Sequence, residues 1–243
     1  MDEKTFGSKL TELFSLHGMA KHLSFEKSKQ FYQMTEHLIA ENEKFNLTAI
    51  TLPEKVILLH YVDSLTLLPH LPKGAKVIDV GTGAGFPALP LAICRPDLHI
   101  VAADATEKRV RYVEETAKML GLSNIEGLVL RAEDGGKNPL YREKFDVACA
   151  RGVAALRVLC EYCMPFVKVG GTFLAMKGQG AKSEVSDAKR AISMLGGKYK
   201  DIIPCPLHDG KEDIAHQLVV IEKLTRTSPT YPRDNSQITK KPL

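Results

Sequence analysis

No stretch of this chain approaches the roughly 20 consecutive apolar residues needed to span a bilayer, which argues against a helical membrane protein. The opening Met1-Asp2-Glu3-Lys4 lacks the basic-then-apolar order of a secretory signal. Cysteine is sparse. Five residues, an odd number without regular spacing, make no disulfide framework and lead us to expect a protein of the reducing cytoplasm. Cys160 and Cys163 form a lone Cys-x-x-Cys with no second pair, and the eight histidines show no metal-ligand spacing, so no metal is expected. Internal repeats and low-complexity segments are also missing. What remains is an ordinary globular composition of 44% apolar and 26% charged residues. The 243 residues suffice for one large domain or a domain with an appendage.

Against that plain background one segment stands out: Val77-Ile78-Asp79-Val80-Gly81-Thr82-Gly83-Ala84-Gly85-Phe86-Pro87. A buried-strand pattern runs into glycines at 81, 83 and 85 and then into an apolar segment of helical length. Glycines at such a turn permit positive φ and let a ligand approach the backbone. The dinucleotide fingerprint would need its third glycine where Phe86 stands. There is no Gly-Lys-Ser/Thr either, so this is not a P-loop. A carboxylate at Asp79 would repel a pyrophosphate but attract the ammonium of an amino-acid moiety. A nucleoside joined to an amino acid without phosphate is S-adenosylmethionine, the cofactor expected here.

Residues 1–72 read as a helical extension. Phe31, Met34, Leu38 and Ile39 recur at helical spacing, and a second apolar stripe runs from Val56 to Leu68 behind Pro53 at a helix start. Pro69 and Pro72 mark a boundary, and residues 73–224 then alternate between strand and helix patterns. Strands are predicted at 76–80, 98–103, 125–131, 145–150 and 171–177, with helices near 85–94, 107–120, 153–168 and 181–195. Two last strands, 198–203 and 214–223, have only a turn at His208-Asp209-Gly210 between them and should pair antiparallel. The expected fold class is therefore α/β: a doubly wound, seven-stranded, mostly parallel Rossmann-like sheet of the class I methyltransferase kind. Residues 225–243 form a basic tail. From Lys223 onward, five basic residues (Lys223, Arg226, Arg233, Lys240, Lys241) face one acid, Asp234, a net +4 equal to that of the whole chain. Such a tail can contact phosphates or simply be a solvated terminus.

Ligands of open α/β sheets bind beyond the carboxyl ends of the strands. Strand two ends at Asp104, 23 residues after Gly81, where a carboxylate can accept both ribose hydroxyls. Strand three ends at Arg131-Ala132-Glu133-Asp134, where an adenine edge contact is expected. Strand four ends at Ala150-Arg151-Gly152, which places a cation beside the cleft.

Several segments, in order along nearly the whole chain, carry a resemblance: Asn46-Leu47-Thr48-Ala49-Ile50, His60-Tyr61-Val62-Asp63-Ser64-Leu65 and Asp79 to Pro87. Lys108-Arg109, Arg131-Ala132-Glu133, Ala150-Arg151-Gly152-Val153-Ala154, Met176-Lys177-Gly178, Tyr231-Pro232-Arg233 and Lys241-Pro242-Leu243 complete it. They resemble the bacterial ribosomal RNA guanine-N7 methyltransferases of the glucose-inhibited division protein B type. The resemblance implies methyl transfer from S-adenosylmethionine to N7 of one guanine in the 530 loop of 16S ribosomal RNA, presented by the 30S subunit or an assembly intermediate. A monomer is expected. By the family pattern, cofactor contacts fall on Gly81, Phe86, Asp104, Ala105, Thr106, Ala132, Glu133 and Arg151, beside Asp79, Gly83 and Gly85 of the turn. Two positions depart from the pattern: Pro87-Ala88 where Pro-Gly is common, and Gly152 where alanine is common.

Guanine N7 carries a lone pair and no proton, so it attacks a sulfonium methyl without a general base. The work left is orientation and exclusion of water. The segment after strand four agrees with this. Ala150-Arg151-Gly152-Val153 stands where exocyclic-amine methyltransferases carry Asn/Asp-Pro-Pro-aromatic, and Pro204-Cys205-Pro206 lies at the far end of the sheet from the cleft. Guanine's N7 and O6 are both acceptors, so cations are wanted, and Arg151 and Lys177 are the expected catalytic pair. His60 and Asp63, three apart on a helix and so on one face, are expected at an RNA-facing rim together with Lys177, Arg233 and Lys241. Phe45 and Tyr61 can stack on bases or pack in the core. Two other readings stay open: a methyltransferase of small molecules, which would not need the tail, and a non-enzymatic ribosome-binding factor that keeps the fold as a platform.

Overall fold

The computed structural model describes residues 1–210 and 213–243. Helix α1 (Glu3–Leu16) starts where the Asp2 carboxylate accepts the Thr5 N–H, and α2 (Phe25–Asn42) where the Ser24 hydroxyl accepts that of Lys27. Phe6, Leu10, Leu13 and Phe14 of α1 are fully buried against Phe31, Met34 and Leu38 of α2. The Phe14 and Phe31 rings meet edge to face at 5.6 Å. Each of these burials is worth about 1.5–3 kcal/mol. A third helix begins with Pro53 at its first position. It passes through α3 (Pro53–Val56), a π-helical stretch Ile57–Val62, and α4 (Asp63–Leu65).

From there strands and helices alternate as predicted. Strands β1 (Lys76–Val80), β2 (His99–Asp104), β3 (Ile125–Val129), β4 (Phe145–Arg151) and β5 (Val167–Lys177) are parallel to one another. Between them run α5 (Ala88–Cys94), α6 (Glu107–Met119), a short α7 (Ala132–Gly135) and α8 (Leu156–Cys163). Helix α9 (Ala181–Met194) leads into β6 (Gly197–Pro204), then the small hairpin of β7 (Leu207–His208) and β8 (Asp213–Ile214). Strand β9 (Gln217–Lys223) lies antiparallel between β5 and β6, and α10 (Asn235–Lys240) is near the end of the chain. The sheet order β3-β2-β1-β4-β5-β9-β6 puts the switch in strand order between β1 and β4.

Each face of the sheet has its own core. Because side chains alternate along a strand, Val77 of β1 joins the cluster of α1, α2 and α5, while Ile78 and Val80 join that of α8 and α9. The N-terminal helices thus share a core with one sheet face. Residues 225–243 also lie on the body of the protein: Ile238 is fully buried, and Arg142 donates to the carbonyls of Thr227, Ser228 and Tyr231. Among the described residues no helix is long and apolar enough to cross a membrane.

Candidate active site

A cavity of about 520 Å³ opens at the carboxyl ends of β1, β2, β3 and β4, within the ~300–1,000 Å³ usual for cofactor sites. Its floor is the glycine turn. Gly81 and Thr82 donate their N–H groups to the Ala103 carbonyl, at 2.8 and 3.0 Å, which ties the turn to the end of β2. Gly81 has φ +77°, and a Cβ there would lie 2.6 Å from Val153 Cγ2, so a larger residue would collide with the wall as well as strain the backbone. Asp104 stands at the end of β2 with a nearly buried carboxylate. Its Oδ2 accepts the Gly83 N–H at 3.1 Å and its Oδ1 that of Thr106 at 2.8 Å. Arg109 reaches to 3.5 Å. Each oxygen has two lone pairs, so the carboxylate keeps capacity for ligand hydroxyls while the protein fixes its plane.

Toward β3 the wall consists of Leu130, Arg131, Ala132 and Glu133, with Tyr162, Phe166 and Asn235. The Tyr162 hydroxyl and Asn235 Oδ1 lie 2.5 Å apart, which brings the C-terminal segment to the cavity edge. Toward β4 stands a polar cluster around Arg151. Its Nη1 donates to the Leu59 carbonyl at 2.9 Å and to Asp63 Oδ2 at 3.0 Å, and its Nη2 to His60 Nδ1 at 3.1 Å. The guanidinium sits 5.2 Å from the centre of the Phe86 ring, and His60 stacks on that ring at 4.2 Å. Burial, reinforced by the Arg151 charge, holds the His60 pKa down to about 3, so the imidazole is neutral at physiological pH.

The predicted residues thus separate. Gly81, Gly83, Phe86, Asp104, Ala105, Thr106, Ala132, Glu133 and Arg151 all line the cavity, and His60 joins them. Asp79 does not. It is fully buried behind the turn, where Oδ2 makes no hydrogen bond among the described residues and the Cys149 thiol approaches Oδ1 at 3.9 Å. Gly85 also lies behind the wall, where its positive φ, +84°, serves the entry to α5. His60 and Asp63 occupy no rim: they are 5% and 2% exposed, because Arg151 draws both inward. Lys177 is held away from the cavity, donating to the Ala154 carbonyl and pairing with Glu184, both at 2.7 Å. Arg233 grips the fully buried Glu161 through Nε and Nη2, and only Lys241 of the expected RNA contacts is exposed.

Sequence reasoning missed Leu47, Thr48, Arg109, Tyr162 and Asn235 as cavity residues. Arg109 was findable, since the first turn of a helix entered from Asp104 faces back onto that carboxylate. Tyr162 and Asn235 come together across 73 residues and carried no local signal.

A glycine cradle, a ribose-ready carboxylate and a seven-stranded sheet with one antiparallel strand fit S-adenosylmethionine. They define a class I methyltransferase that depends on it. A solved S-adenosylmethionine-dependent methyltransferase from Aquifex aeolicus shares the fold, with a TM-score of 0.53 over 76% of this chain and 98% of that one at 20% identity. The chain belongs to the rRNA small subunit methyltransferase G (GidB) family, whose model matches residues 26–211. It is 44% identical over 220 residues to Ribosomal RNA small subunit methyltransferase G of Clostridium novyi, covering 90% of each chain. It is 41% identical over 244 residues to that of Acetivibrio thermocellus, covering 100% of both.

Proposed function

We propose that this protein transfers the methyl group of S-adenosylmethionine to N7 of one guanine in the 530 loop of 16S ribosomal RNA. It acts in the cytoplasm as a monomer, on the 30S subunit or an assembly intermediate. One observation carries the choice of acceptor atom: among the described residues, the β4 end of the cavity presents donors and no free base. Arg151 cannot accept a proton, both ring nitrogens of His60 are engaged, and Asp63 is held by Arg151 and by His216 at 2.9 Å. An acceptor that must lose a proton would find nothing there to take it. Guanine N7 has none to lose.

When bound, S-adenosylmethionine supplies an electrophilic methyl on a sulfonium centre. The chain orients and shields it. Asp104 accepts the ribose hydroxyls, the small residues of the turn at 81–84 leave room for the amino-acid end, and Ala132 and Glu133 border the adenine. Stacked His60 and Phe86 form an apolar wall that excludes water from the reacting atoms. Exposed Arg131 at the mouth and Lys241 in the tail are placed to meet RNA phosphates. Lys177, tied to Glu184, orders the segment after β4 and does not touch the base.

The test is direct. With labelled methyl donor and 30S subunits lacking the modification, the protein should label a single guanine at N7. Label confined to small molecules or to protein would overturn the assignment.

A further inference from the structure

The hydrogen bonds around His60 have a fixed polarity, and it ends at an unused donor. An arginine only donates, so the 3.1 Å contact between Arg151 Nη2 and His60 Nδ1 makes Nδ1 the acceptor. The neutral ring then carries its proton on Nε2, which lies 2.9 Å from Thr48 Oγ1 and donates to it. The Ile50 N–H donates to the same oxygen at 3.0 Å. Both lone pairs of the Thr48 hydroxyl are thereby filled, and its own hydrogen must point elsewhere. Among the described residues no acceptor takes it, and Thr48 lines the cavity. The loop that carries it is rigid, because Asn42 Oδ1 accepts the N–H groups of Leu47 and Thr48 at 2.7 and 2.8 Å.

We infer that Thr48 is the residue that orients the acceptor base, donating its hydroxyl hydrogen to O6 of the target guanine. The inference rests on the guanine-N7 reading above. The Hoogsteen edge of guanine offers two acceptors, N7 and O6, and N7 must stay free to attack. A neutral donor on O6 aligns the ring without competing for the N7 lone pair. A second cation in that place would draw electron density from the nucleophile. The relay from Arg151 through His60 therefore sets the direction of one hydroxyl and leaves the charge on the arginine.

The test is a cycle of two changes on reconstituted 30S subunits, with guanine or 2-aminopurine at the target position; 2-aminopurine keeps N7 and lacks O6. On guanine, Thr48→Val should lower kcat/KM by about 10- to 100-fold. S-adenosylmethionine affinity measured by calorimetry should stay unchanged, and Thr48→Ser, which keeps the hydroxyl, should recover most of the rate. On 2-aminopurine, Thr48→Val and wild type should be equally slow. An equal deficit of Thr48→Val on both bases, loss of cofactor affinity, or an unimpaired variant would each overturn the assignment to O6. If wild-type protein forms no N7-methylguanine on unmodified subunits, the underlying reading fails instead, and that outcome is seen before any variant is made.

Discussion

Asp79 and Asp104 lie near the carboxyl ends of neighbouring strands and meet opposite fates. Asp104 leans into the cavity, where two backbone N–H groups hold it. Asp79 is sealed behind the turn, and burial pushes its pKa up to about 6 despite the opposing pull of Thr82 and Arg151. The fold therefore favours the protonated carboxyl. Between its ordinary value of 3.8 and about 6, the native chain holds more protons than the unfolded chain, so stability falls as pH rises through that window and stays lower above it. The full penalty is about 3 kcal/mol. Asp79→Asn cannot titrate, so urea denaturation of the ligand-free protein should show the variant gaining about 2–3 kcal/mol on wild type between pH 4 and pH 8. A pH-independent difference would mean that Asp79 is ionised at little cost in the fold. Both carboxylates are legible in the sequence as strand-end acids. Which of them faces the cavity was not, because that depends on how the turn folds back over β2.

At the scale of elements, the glycine turn shows how a short motif divides its labour. Gly83 has φ +58°, and a Cβ there would come no closer than 4.0 Å to the Gly81 carbonyl oxygen. At Gly85 a Cβ would lie 2.4 Å from Leu89 Cδ1 and 3.3 Å from Val113 Cγ2. Gly83→Ala should therefore cost only the left-handed backbone strain, about 1–2 kcal/mol. Gly85→Ala should add overpacking of about 1–3 kcal/mol, for a total near 2–5 kcal/mol. Urea unfolding of the two variants should rank them in that order; equal losses would show that α5 yields freely. The same crowding explains why α5 begins at Ala88 rather than near 85: the turn is still closing there, with the Gly85 and Phe86 N–H groups on the Thr82 carbonyl. Strand positions were readable because buried parallel strands write continuous apolar runs. The π-helical stretch Ile57–Val62 was not, since six residues that are nearly all apolar show no period by which an i→i+5 winding could be told from an α-helix. That winding carries His60 against Phe86.

For the molecule as a whole, the tail was readable as charge but not as structure. Arg233 looked like a phosphate contact, yet it binds both oxygens of Glu161, a carboxylate with no exposed surface, at 2.9 and 2.7 Å. Its own backbone N–H donates to the same group at 2.8 Å. A sequence cannot pair residues 72 positions apart without a pattern to link them, so the arginine and its buried partner were invisible to each other. The consequence is a division of roles between two basic residues eight positions apart. Arg233→Ala strands a buried charge and should cost about 3–5 kcal/mol in urea denaturation; Arg233→Ala with Glu161→Gln should lose less, because no charge is left uncompensated. Lys241 is exposed, so Lys241→Ala should leave unfolding unchanged and lower the slope of log affinity against log salt for RNA by about 1. If Arg233→Ala instead kept full stability and lost the salt slope, the arginine would be the RNA contact. Folding of the tail across Glu161 would then contribute nothing to the fold that frames the cavity at Tyr162 and Asn235.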